Sequence, residues 1–367
     1  MKRRSFLTAA AAATGAGLAT LSSTAAANDL PTVRWRMSTG WAQSLDTIYG
    51  SAQEMCKRIG ELTGGKFEVR AFPGGDIVPY AQNMDAVSNG TIECNHVLST
   101  AFIGRNTAVA FDTGLAFGLN ARQHNAWIHY GGGLEKLREL YAQYNIVNHV
   151  VGNVGVQMGG WFRKEINTVD DLQGLKMRIG GIGGMVLSKL GVVSQQIPPS
   201  DIYSALERGT IDAAEWIGPY DDEKLGLNQV APYYYTPGWF EGSASLTSMV
   251  NKDAWEALPE LYKHAFTTAA AEQTMKCLAR YDAVNPTALR RLVGNGAQVR
   301  FFPREVMEAC YKASQELWQD LSGNNPDFAK IYPGWKEFQE EQVSWFRVAE
   351  NALDGFTFAA VARASGK

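Results

Sequence analysis

Five polar side chains stand out in this 367-residue sequence because their neighbours are apolar residues, glycine or tryptophan: Asn153, Gln157, Arg178, Glu215 and Glu241. Glu215 is the sharpest case, set between Ala213-Ala214 and Trp216-Ile217. A carboxylate in such a setting costs several kcal/mol unless a cation or hydrogen-bond donors meet it. Arg178 stands near the carboxyl end of a strand pattern, 175–179. Arginine grips a carboxylate through a two-pronged hydrogen bond. Glu215 with the amide oxygen of Gln157 makes an all-oxygen set, which suits Na+ or Ca2+ and not zinc. These residue types describe a site for a small acid held by an arginine and a cation. The simpler alternative is that Arg178 and Glu215 pair with each other.

The remaining candidates are weaker. Asp221, Asp222 and Glu223 follow Pro219 and read as acid enrichment at a helix start. His124, His129, His149 and His264 show no metal-ligand spacing, and the tyrosines 233–235 read as packing or cleft-paving residues. Double glycines at 180–181 and 183–184 let backbone approach something closely. Neither phosphate-loop pattern accompanies them, so a nucleotide loop is rejected. An enzyme would need Glu215 with Asp221 or His96 as acid and base, yet no nucleophile elbow, HExxH or cofactor fingerprint is present. A binding protein is the better reading. Cys56, Cys94, Cys277 and Cys310 match no zinc or redox spacing and read as buried thiols, with a Cys277–Cys310 bridge as the alternative.

The elements that position these residues follow an α/β pattern. Residues 32–37 alternate as a strand, 45–62 carry an amphipathic helix stopped by Gly64-Gly65, and 67–72 alternate again. An internal echo joins "MDAVSNGTIECNHV" (84–97) to "YSALERGTIDAAEW" (203–216). Aligned on Gly-Thr-Ile, His96 falls opposite Glu215. Two related α/β lobes are what a protein closing over a ligand would show. Lys2, Arg3 and Arg4 before an alanine-rich stretch ending at Ala25-Ala26-Ala27 read as a twin-arginine export signal, 1–27. Its removal takes the formal charge from −3 to −6, which argues against nucleic acid. The expected division is a first lobe over 28–152 completed by about 246–334, a second lobe over 153–245, and a closing helix over 335–367. A helix is expected to start at Asn285-Pro286, with the asparagine as cap.

Three segments, "GVQMGGWFRKEINTVDDLQGLKMRIGG", "DIYSALERGTIDAAEWIGPYDDEKLGL" and "APYYYTPGWFEG", closely resemble the periplasmic solute receptors of TRAP transporters, the DctP family, and among them the 2-oxoacid receptors. "SLDTIYG", "NAWIHYGGG" and "NPTAL" extend the likeness over nearly the whole mature chain. The resemblance implies a two-lobed periplasmic binding protein, type II-like, with a hinge, a long connecting helix and a C-terminal helix exchanged in a homodimer. It also implies a 2-oxo or 2-hydroxy monocarboxylate as ligand, delivered to membrane permease subunits; a sensor kinase as partner is the alternative. By the same resemblance Gln157, the Glu215 carboxylate and the Trp216 carbonyl hold a cation, Na+ or Ca2+. Arg178 then pairs with the ligand, with Asn153, Gln157 and Trp216 beside it, and Glu241 joins the cation's residues. The chain departs from the 2-oxoacid receptors at Thr100-Ala101-Phe102, where they carry bulky aromatics. That change implies a roomier or more polar pocket.

Overall fold

Val33–Thr39 buries Trp35 and Met37 while Arg34 and Arg36 face outward, and this alternation makes it strand β1. The computed structural model describes residues 30–364, so the expected signal at 1–27 lies outside the described residues. Strand β2, Phe67–Phe72, pairs parallel to β1, with Arg34 reaching Glu68 and Arg36 reaching Glu93 along the exposed side. Three further strands, β3 (Cys94–His96), β4 (Ile146–Asn153) and β10 (Ser245–Asn251), complete a five-stranded sheet in the order β2-β1-β3-β10-β4. A second, six-stranded sheet takes β5 (Gly160–Phe162), β6 (Lys176–Arg178), β7 (Val193–Gln195), β8 (Ala213–Ala214), β9 (Tyr233–Thr236) and β11 (Gln298–Phe301). Its order is β11-β9-β5-β8-β6-β7. Helices cover both sheets, which is the α/β class expected.

The echo is visible in three dimensions. Helix Asn83–Ser88 turns at Gly90 into β3, and helix Pro199–Glu207 turns at Gly209 into β8. Both glycines adopt left-handed φ, +76° and +71°. His96 ends β3 inside one sheet, and Glu215 follows β8 inside the other.

The chain crosses between the sheets at 154–159, at 237–244 and through helix Glu260–Gly294. That helix runs 35 residues without interruption, roughly 50 Å, so no helix begins at Asn285-Pro286. Pro286 sits inside it, and Asn285 caps a different element: its Oδ1 accepts the Tyr220 amide at 3.1 Å, at the start of helix Pro219–Leu225. Packing of the long helix on β4 and on helices Ile48–Leu62 and Pro219–Leu225 outweighs the lost hydrogen bond at the proline. The cap-plus-proline signal belongs instead to Asn325-Pro326. Asn325 accepts the Asp327 and Phe328 amides there, and helix Pro326–Val348 begins nine residues before the expected 335. A break at Ala349 separates it from helix Glu350–Ala364. The stretch 246–334 also serves both sheets: β10 joins the first, but β11 pairs with β9 in the second. All four cysteines are buried free thiols, and Cys277 and Cys310 are not bridged.

Candidate functional site

Arg178 ends β6 and Glu215 follows its neighbour β8, so both stand at the carboxyl edge of the second sheet, where open α/β sheets bind ligands. The two are bonded directly. Arg178 Nη1 donates to the Glu215 carboxylate and, at 2.6 Å, to the Glu215 carbonyl. Its Nε donates to the Ile197 carbonyl at 3.3 Å, and its guanidinium lies 5.2 Å from the Trp216 ring centre. Glu215 is 7% exposed. Burial raises its carboxyl, against which Arg178 and the Gly180 amide act. The ion pair of the simpler alternative therefore exists, and it is not the whole site.

Both crossing segments add to it. Gln157, on 154–159, donates from Nε2 to Glu241 Oε2 at 2.7 Å, and Glu241 stands on 237–244. Gln157 N–H meets the Glu241 carbonyl at 3.3 Å, and the Gly238 amide donates to the Gln157 carbonyl at 2.8 Å. A side chain at Gly238 would place its Cβ 2.5 Å from that carbonyl, so glycine lets the two crossings touch. Burial, then the nearby Glu215 charge, pushes the Glu241 carboxyl up to about 8. Two carboxyl groups thus share one guanidinium, and a bound cation would let both ionise. Gln157 Oε1 is buried and has no hydrogen-bond partner, and neither has Trp216 Nε1. A buried amide oxygen left unpaired beside two carboxyl groups fits a hard cation held by oxygen. The donors gathered here are oxygens, with no histidine or cysteine side chain bonded among them, which suits Na+ or Ca2+ better than zinc.

Asn153 is placed differently. It ends β4 in the first sheet, fully buried, its Oδ1 accepting the Gly155 amide at 2.8 Å and its Nδ2 unpaired. No hydrogen bond ties it to Arg178, Glu215, Gln157 or Glu241. The two partners an enzyme reading gave Glu215, Asp221 and His96, are bonded elsewhere. Asp221 binds Thr47 and Tyr281, and His96 Nδ1 accepts from Trp41 Nε1 at 2.8 Å.

Asp222 has a role its helix-start position does not reveal. It accepts from Trp161 Nε1 (2.9 Å), Tyr234 OH (2.7 Å) and the Ile217 amide (3.2 Å), so it fastens the 215–218 turn to the sheet. Burial still pushes its carboxyl up to about 7. Asp222→Ala would leave three buried donors unpaired and is expected to cost about 3 kcal/mol or more in urea unfolding. A midpoint unchanged from wild type would show that the turn holds without it. Two residues of the first lobe also reach this region. Tyr80 feels the charges of Arg178 and Glu241, and Thr100 lies against Gly181, just past Arg178. Thr100 was visible in the sequence only as part of the departing stretch 100–102. Tyr80 carried no signal.

The family model for bacterial extracellular solute-binding proteins, family 7 (DctP), matches residues 37–324. The chain belongs to the DctP family. This DctP protein is 46% identical over 360 residues to the monocarboxylate 2-oxoacid-binding periplasmic protein of Nostoc sp. (strain PCC 7120), covering 97% of this chain and 99% of that relative. A TRAP transporter solute-binding protein from Bordetella bronchiseptica RB50 is 77% identical, with a TM-score of 0.90 over 91% of this chain and 99% of that one. It is a mixed-occupancy dimer, with copurified calcium and picolinate in one active site and the other site apo. A TRAP periplasmic solute-binding protein from Pseudoalteromonas atlantica T6c, with bound sodium and pyruvate, is 36% identical. Its TM-score is 0.85 over 88% of this chain and 98% of that one.

Proposed function

We propose that this DctP protein is the periplasmic receptor of a TRAP transporter, binding a small monocarboxylate together with Na+ or Ca2+ and passing the acid to membrane permease subunits without changing it. One observation carries the reading: the unpaired Gln157 Oε1 beside the Glu215–Glu241 carboxylates, with Arg178 as the one guanidinium among them. Gln157, Glu215 and the Trp216 carbonyl would hold the cation, and Glu241, bonded to Gln157, would orient that amide. The cation supplies positive charge and open positions for ligand oxygen or nitrogen. Arg178 meets the acid's carboxylate, and its contacts to Ile197 and Glu215 fix its direction. Pyruvate and picolinate, bound by the two structural relatives, share one chemical feature: a heteroatom on the carbon next to the carboxylate. That favours 2-oxo, 2-hydroxy and 2-aza acids over simple fatty acids. Calorimetric titration with each acid tests this. Tighter binding of propionate than of pyruvate would overturn the ligand class.

A dimer is part of the proposal. Helix Glu350–Ala364 buries none of its residues and exposes Leu353 (65%), Phe356 (71%) and Phe358 (69%). Exposed apolar rows of this kind mark interaction surfaces, and the 77% identical relative is a dimer. A chain ending at residue 349 is expected to elute as a monomer in light scattering. A dimer that survived the truncation would place the interface elsewhere. Among the described residues no helix is long and apolar enough to cross a membrane, which suits a receptor working outside one.

A further inference from the structure

Thr100 is 7% exposed, and its Oγ1 has no hydrogen-bond partner. Its backbone is held rigidly. The Thr100 amide donates to Thr113 Oγ1 at 3.2 Å, Ser99 Oγ shares a hydrogen bond of 2.8 Å with the same hydroxyl, and Ser99 Oγ also donates to the Val109 carbonyl at 2.8 Å. The side chain is aimed at the other lobe: a Cβ built on Gly181 would lie 1.8 Å from Thr100 Oγ1. Gly181, with φ +58°, opens helix Gly181–Lys189. Arg178 is three residues earlier, and the Gly180 amide between them faces the Glu215 carboxylate. A rigidly mounted hydroxyl of the first lobe is thus pressed against the backbone that links Arg178 to this helix, and the chain itself gives it nothing to bond. Buried hydroxyls left unpaired by the protein are matched by something else.

We propose that Thr100 is a specificity-determining residue of this receptor, its hydroxyl donating to the oxygen that a 2-oxo or 2-hydroxy acid carries on the carbon next to its carboxylate. The inference rests on the receptor reading and adds the residue by which the first lobe distinguishes such acids from plain carboxylates. Gly181 is the matching half. Only a bare Cα admits the hydroxyl, and the left-handed φ there disfavours any side chain.

The test compares Thr100→Val, which keeps the shape and removes the hydroxyl, with wild type and Thr100→Ser, using pyruvate, picolinate and propionate with the cation saturating. Thr100→Val should weaken pyruvate by about three- to tenfold, the worth of one hydrogen bond. Propionate, and picolinate whose single ring-nitrogen lone pair faces the cation, should stay within about twofold, and Thr100→Ser should recover most of the pyruvate loss. Equal weakening toward all three acids would reduce Thr100 to packing and overturn the proposal. So would unchanged pyruvate binding in the valine variant. If wild-type protein bound none of the three, the receptor's ligand class would fail first, and that outcome is separable because it appears before any substitution is made.

Discussion

Arg178→Ala is expected to weaken binding of pyruvate or picolinate by about 2–4 kcal/mol, the loss seen when one partner of a buried charge pair is truncated. That is about 30- to 900-fold in Kd. The size follows from how Arg178 is held. Its side chain is 13% exposed, bonded to the Glu215 carboxylate and carbonyl and to Ile197, and set against the Trp216 ring. It is therefore pointed before the ligand arrives, and little ordering is left to be done on binding. Arg178→Lys should fall between the two, because a point charge replaces a fixed fork. Truncation also leaves Glu215 buried without its partner, so unfolding by urea must be followed alongside calorimetry. A folded alanine variant that bound these acids within threefold of wild type would remove Arg178 from the site.

Glu215→Gln is expected to abolish the response to cation. The substitution keeps shape and hydrogen-bonding reach but removes the negative charge that a cation would share with Arg178. Even residues one shell outside a metal cost about 10- to 100-fold in metal affinity when changed, and a direct ligand should cost at least that. In chelated wild-type protein, restoring Na+ or Ca2+ should tighten acid binding markedly. In the glutamine variant the same addition should change it less than about twofold. Equal cation responses in the two proteins would mean that the ion, if bound, is held by other oxygens.

The elements that carry this site were legible where pattern and burial agree. Strand 67–72 and its neighbour 33–39 alternate because one face is buried, and the Gly-Thr-Ile echo predicted related turns into β3 and β8. Arg178 and Glu215 were legible as an uneconomical pair in apolar surroundings. Local signals failed where distant packing decided. Asn285-Pro286 has the form of a helix start, yet the asparagine caps helix Pro219–Leu225 and the proline rides inside a helix held by β4 and two neighbouring helices. Asp222 looked like dipole compensation because its three donors come from residues 161, 217 and 234, which no local window joins. The double glycine at 180–181 announced a close approach, but only the fold shows that Thr100 is what approaches. Asn153 carried the same signal as Gln157, a polar residue among apolar ones, and ended in the other sheet without a bond to the cluster.

The most direct test of the central claim is calorimetric titration of pyruvate and picolinate into the mature chain, residues 28–367, stripped of cations and then resupplied with Na+ or Ca2+. The account predicts saturable, stoichiometric binding that tightens when the cation returns, with the acid recovered unchanged afterwards. Affinity indifferent to cation would contradict the role given to Gln157, Glu215 and Trp216. Conversion of the acid into another compound would contradict the receptor itself.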